Sequence, residues 1–163
     1  MCIRDSYWLD VGTPEKYMSA HMDILDRKVP FNFPYKKVLS NIYIGEGTEY
    51  TKDNLITGPV VVGDNTKIEA GAKLLPLTVV GSNCVISSGT SISESLIFDG
   101  CIIGKNCIIR NSIVGKNVKI SDNVKIERSS IIGDNSTIEE NNILKNGIRI
   151  NSNSLISEGQ INF

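Results

Sequence analysis

Residues 60–86, "VVVGDNTKIEAGAKLLPLTVVGSNCVI", carry two periods at once. An aliphatic residue stands at every sixth position (Val62, Ile68, Leu74, Val80, Ile86), and a Gly-x-Asn triplet returns after eighteen, at Gly63 and Gly81. Six residues hold one short strand and one turn, too few for a helix. Gly and Asn tolerate positive φ, so each triplet marks a tight corner. Three hexapeptides per eighteen residues give three faces per turn of a coil.

The six-residue series extends in both directions. Backward it reaches Ile56, Tyr50 and Ile44; forward it reaches Ile92 and Phe98. Two five-residue steps then move the register through Ile103 and Ile109 to Val114. From there it runs through Ile120, Ile126, Ile132, Ile138, Leu144, Ile150 and Ile156. Only 40% of the chain is apolar, so an unbroken apolar series is not chance. Coils are expected to start near 44, 62, 80, 98, 114, 132 and 150, with the one at 98 shortened to sixteen residues. Four places after the large residue stands a small one at Thr66, Ala72, Thr78, Cys84, Thr90, Cys107, Ser130 and Ser136. A large and a small inward residue per face suit a narrow, filled prism. Stacked aliphatics, each worth about 1.5–3 kcal/mol on burial, supply its stability, and no single repeat could stand alone. The chain reads as an all-β solenoid, a parallel β-helix of six to seven coils.

The 163 residues carry a net charge of −1 and no local Lys/Arg block, which gives no footprint for nucleic acid or an anionic membrane. No apolar run of transmembrane length occurs and no signal-peptide pattern opens the chain, so a cytoplasmic location is expected. Cys2, Cys84, Cys101 and Cys107 lack zinc-clip spacing, and His21 is the only histidine, so the cysteines read as reduced, small fillers. "GCIIGKN" (100–106) departs from a phosphate loop in spacing and reads as a corner. Glu139 and Glu140, adjacent in sequence, read as solvated charge.

Residues 60–86, together with "IVGKNVKISDNVKIERSSIIGDNSTI" (113–138), resemble the hexapeptide repeats of left-handed parallel β-helix proteins, and the resemblance covers about residues 44–160. The left hand is implied by the family, since spacing cannot set it, and it runs against the usual right-handed crossover. Acyltransferases of this shape use a histidine base, and carbonic anhydrases of this shape use three histidines for zinc. One histidine upstream of the repeat serves neither, which leaves a spacer and assembly surface, with a homo-oligomer expected from the uncovered faces and ends.

The front end reads differently. Thr13-Pro14-Glu15 combines a capping hydroxyl, Pro at the first helical position and an acid in the first turn. Tyr17, Ala20, Ile24 and Leu25 then recur at helical spacing, so a helix of about fifteen residues is expected to run to near Arg27, its apolar stripe covering another surface. His21 belongs to that helix's packing or edge. "VPFNFPYKK" (29–37) reads as a linker fixed against a neighbouring surface.

"YWLDVGTPEKYMSAHMDIL" (7–25) resembles the last strand, loop and helix of the catalytic domain of sugar-1-phosphate nucleotidylyltransferases, such as mannose-1-phosphate guanylyltransferases. Trp8, Asp10, Gly12, Thr13, Pro14 and Tyr17 match the family pattern, and a β-helix follows the catalytic domain in such enzymes. The resemblance implies transfer of a nucleotidyl group from an NTP to a sugar 1-phosphate, giving a nucleotide-sugar (GDP-mannose or a UDP- or dTDP-sugar) and pyrophosphate. It implies Mg²⁺ with Asp10 as one ligand, and Trp8 shaping the sugar pocket; Mg²⁺ favours one or two carboxylates plus phosphates. Read without the family, Asp10 is a turn residue before Gly12.

The Gly-rich triphosphate loop and the second acidic ligand of that family have no counterpart here. The chain is therefore expected to be a C-terminal fragment, inactive alone. Residues 1–5 read as a non-native stub, 6–29 as the end of the catalytic domain, 30–43 as a linker and 44–163 as the β-helix. The alternatives are a non-catalytic scaffold subunit, like the nucleotidylyltransferase-like subunits of a translation initiation exchange factor, and a hexapeptide-repeat acyltransferase.

Overall fold

The computed structural model describes residues 10–163. One helix, α1 (Pro14–Leu25), precedes a solenoid of short strands. Strand β1 (Lys36–Leu39) pairs antiparallel with β2 (Ile42–Ile44), and every later pairing between strands is parallel, each strand with its counterpart one coil on. Three sheets form the three faces of the prism, eight strands in the first face and six in each of the others.

The interior is the aliphatic series the sequence predicts. Val62, Ile68, Leu74, Ile86, Ile103, Ile126 and Leu144 are buried and belong to one continuous core. The ends are looser: Tyr50 is exposed, and Ile56, Ile150 and Ile156 are half-buried.

The register differs from expectation in one place. Ile97, not Phe98, is the interior residue, paired with Val80 behind it and Val114 ahead. Two coils are therefore seventeen residues long, in place of a single coil of sixteen. The corner from the third face to the first has three residues at 75–77 and 127–129, but two at 93–94 and at 110–111. A strict six-residue step lands on Phe98, which is also apolar, so hydrophobicity alone could not locate the missing residue.

The corner triplets divide their labour. Asn65, Asn83, Asn117 and Asn135 hold the positive φ, between 52° and 57°. Gly63 and Gly81 do not; they are needed because the next coil passes so close. A Cβ on Gly63 would sit 2.6 Å from the backbone nitrogen of Ser82, and one on Gly81 2.7 Å from that of Asp99.

The small inward residues do more than fit. Thr66 Oγ1 donates to the carbonyl of Gly81 (2.8 Å) and accepts from the N–H of Cys84 (3.2 Å). Thr48 does the same one coil earlier, and the thiols of Cys84 and Cys101 continue the column by donating to Phe98 and Gly115. Among the described residues no buried side-chain polar atom lacks a partner, as burial in a low-dielectric interior demands.

Candidate functional site

The helix starts where Thr13, Pro14 and Glu15 predict, and is twelve residues long where about fifteen are expected. Thr13 is extended (φ −128°) and its hydroxyl accepts from the N–H of Lys16 at 3.3 Å, with Pro14 opening the helix. The helix stops at Leu25, two residues before Arg27, because Arg27 enters the left-handed region (φ 59°). Its N–H and that of Lys28 turn back to the carbonyls of Ile24 and Asp23.

α1 lies lengthwise along the first face. Glu15 near its start meets Arg149 (2.7 Å), Tyr17 approaches Phe98 (ring centroids 6.3 Å), and Arg27 just past its end donates to the Tyr43 hydroxyl (2.9 Å). The face beneath explains the fit. Its outward positions are Tyr43, Val61, Val79, Leu96, Ile113, Ile131 and Arg149. Val61, Leu96 and Ile113 are buried although they point away from the prism core. Phe98 takes the place that glycine holds at 45, 63, 81, 115 and 133, and so presents a ring to the helix. The segment after the helix is fixed as well, with Phe33 packed between Phe31 and Tyr43.

Asp10 is exposed. One carboxylate oxygen accepts from the Gly12 N–H (3.0 Å) and the other meets Lys16 Nζ (3.2 Å). Among the described residues no group of three or more His, Cys, Asp and Glu could hold a metal. A lone carboxylate tied to a lysine does not by itself make a Mg²⁺ site. Trp8 lies outside the described residues. His21 packs against Tyr17 with the rings tilted (centroids 4.6 Å), and burial holds its pKa below the usual histidine value. Cys84, Cys101 and Cys107 are free thiols buried inside the prism, and burial pushes Cys107 up to about 11. "GCIIGKN" is a strand and corner, with Asn106 at φ 55°. Glu139 sits at a corner and accepts from the N–H of Glu158.

Between α1 and the first face lies a cavity of about 340 Å³, lined by Met18 and Met22 on the helix and by Leu77, Glu94, Asn111 and Ile131 on the solenoid. Sequence reasoning missed it. Its signal was the pair of five-residue steps, which shorten two successive corners.

Residues 39–144 match the family model of the left-handed β-helix domain of EIF2B subunit epsilon. The chain belongs to that family. It is 31% identical over 102 residues to the UTP–glucose-1-phosphate uridylyltransferase of Synechocystis, covering 61% of this chain and 26% of that protein. It is 31% identical over 106 residues to the glucose-1-phosphate adenylyltransferase of Aliivibrio fischeri, covering 63% and 26%. The chain thus matches about a quarter of the length of these curated relatives, both sugar-1-phosphate nucleotidylyltransferases. A hexapeptide transferase family protein from Anaplasma phagocytophilum shares the fold, with a TM-score of 0.56 and 17% identity over 72% of this chain and 79% of that one. No helix among the described residues is long and apolar enough to cross a membrane.

Proposed function

We propose that this chain is the β-helix part of a sugar-1-phosphate nucleotidylyltransferase, joined to its catalytic domain through α1. The observation that carries the reading is the helix entered from the Asp10–Thr13 loop and laid on the one apolar outer face of the prism. A catalytic domain ending in that helix would be anchored to the shaft along its length. The identity to uridylyl- and adenylyltransferases supports the general kind of reaction, with an NTP and a sugar 1-phosphate as substrates. Asp10 then supplies one carboxylate toward Mg²⁺ and Trp8 borders the sugar. The shaft serves assembly into a homo-oligomer in the cytoplasm.

Reading the genomic frame upstream of the Ser6 codon tests this. An open frame of about 200 residues or more, carrying a Gly-rich loop with Arg or Lys, is expected. A stop codon directly upstream of the start overturns the reading. The 163-residue chain alone is expected to release no pyrophosphate from NTP, sugar 1-phosphate and Mg²⁺; release abolished by Asp10→Asn would equally overturn it. A non-catalytic scaffold is the second reading, favoured by the match to a β-helix domain of an EIF2B subunit. An upstream domain without the Gly-rich loop would select it.

A further inference from the structure

The corner column beneath α1 is unlike the other two. At the corners from the first face to the second, and from the second to the third, every residue with positive φ is Asn or Gly. At the corners from the third face to the first, Leu77 (63°), Glu94 (48°), Arg128 (57°) and Ser129 (62°) adopt it alongside Asn111, Asn146 and Gly147. Left-handed backbone costs an ordinary side chain about 1–2 kcal/mol, and such strain collects at functional sites. This is also the column with two short corners, at 93–94 and 110–111. They leave a notch between Leu77 and Ser129, and α1 roofs it without filling it.

We propose that this notch is a binding site for a small organic cation with an aliphatic body. Met18 and Met22 form one wall, and Ile113 and Ile131 the other. Methionine adapts its shape to an apolar guest. The carboxylates at the two ends are occupied, Glu15 by Arg149 and Asp23 by Lys28. Glu94 is exposed at the rim, and among the described residues its carboxylate has no hydrogen-bond or ion-pair partner and no Lys or Arg lines the cavity. The unmatched charge is therefore one negative charge at the solvent-facing rim of an apolar slot, which favours an amine head group over an anion. The cavity is of small-ligand size. The site stands whether or not the chain is part of a nucleotidylyltransferase.

Two of the chain's three methionines line the cavity. The full chain, labelled with ¹³C-methyl methionine, can be titrated with hexylamine, hexan-1-ol and hexanoate, which share one body and differ in head-group charge. Substitution of each methionine by leucine assigns the signals. Hexylamine is expected to shift the Met18 and Met22 signals saturably, hexanol more weakly, and hexanoate not at all. Glu94→Gln should weaken hexylamine by about tenfold and leave hexanol unchanged. No saturable shift, equal binding of hexanoate and hexylamine, or a Glu94→Gln variant that binds hexylamine like wild type would each overturn the proposal.

Discussion

Leu96 and Ile102 sit at matching outward positions of one coil, yet Leu96 is 2% exposed and Ile102 46%. The first face carries Val61, Val79, Leu96, Ile113 and Ile131 outward. The second carries Lys67, Val85, Ile102, Lys119 and Thr137 at the equivalent places, and the third Lys73, Ser91, Ile108, Lys125 and Ile143. The interior treats the three faces alike, whereas the exterior does not. One face of a repetitive shaft has become a dock, and the lysines keep the others solvated.

The largest effect belongs to what the faces share. Ile120→Asp places an unpaired charge in the core, where Ile120 is 2% exposed, and should cost about 5 kcal/mol or more and abolish cooperative melting. Next come the matched outward pair. Leu96→Asp should release α1, a local loss of about 2–3 kcal/mol, read as faster amide exchange within Pro14–Leu25 while the middle coils of the shaft stay protected. Ile102→Asp should change stability by no more than about 0.5 kcal/mol. Equal effects from the two variants would erase the distinction between the faces.

Phe98→Ala removes the ring facing Tyr17 and should loosen the helix by about 1 kcal/mol without touching the coils. The smallest effect concerns pH. Burial lowers the His21 pKa in the folded state, so the unfolded chain binds the extra proton first. Helix docking should therefore weaken as pH falls below about 6.5, and His21→Gln should flatten that dependence in the same exchange experiment.

The interior column was legible because a large aliphatic must fill every face of every coil. The helix start was equally plain, since Thr13, Pro14 and Glu15 each do one known job there. Ile97 was not distinguished from Phe98 because removing one corner residue leaves two apolar neighbours competing for one inward place. The hydroxyl column reads in the sequence as a matter of size, since a sequence shows that Thr66 is small before it shows what its oxygen meets. The dock left a trace that six-residue counting passes over: the residue before each interior one is apolar along the first face as far as Ile131, whereas Lys67 and Lys119 hold that place on the second. The strained corner left less, since Leu77 and Glu94 are not turn residues by type.

A stack of coils that touch only their neighbours comes apart from its ends, each outer turn peeling with little help from the middle. The lengthwise course of α1 alters that. The coil of Tyr43 and the coil of Arg149 are both held to one rigid rod, through Arg27 and Glu15. Each exposed ion pair or hydrogen bond is weak alone, but a rod seated on Leu96 and Ile113 feels the loss of either end. Peeling at one tip therefore disturbs the strap that steadies the other, and the shaft opens more as a single piece than as a row of separate turns.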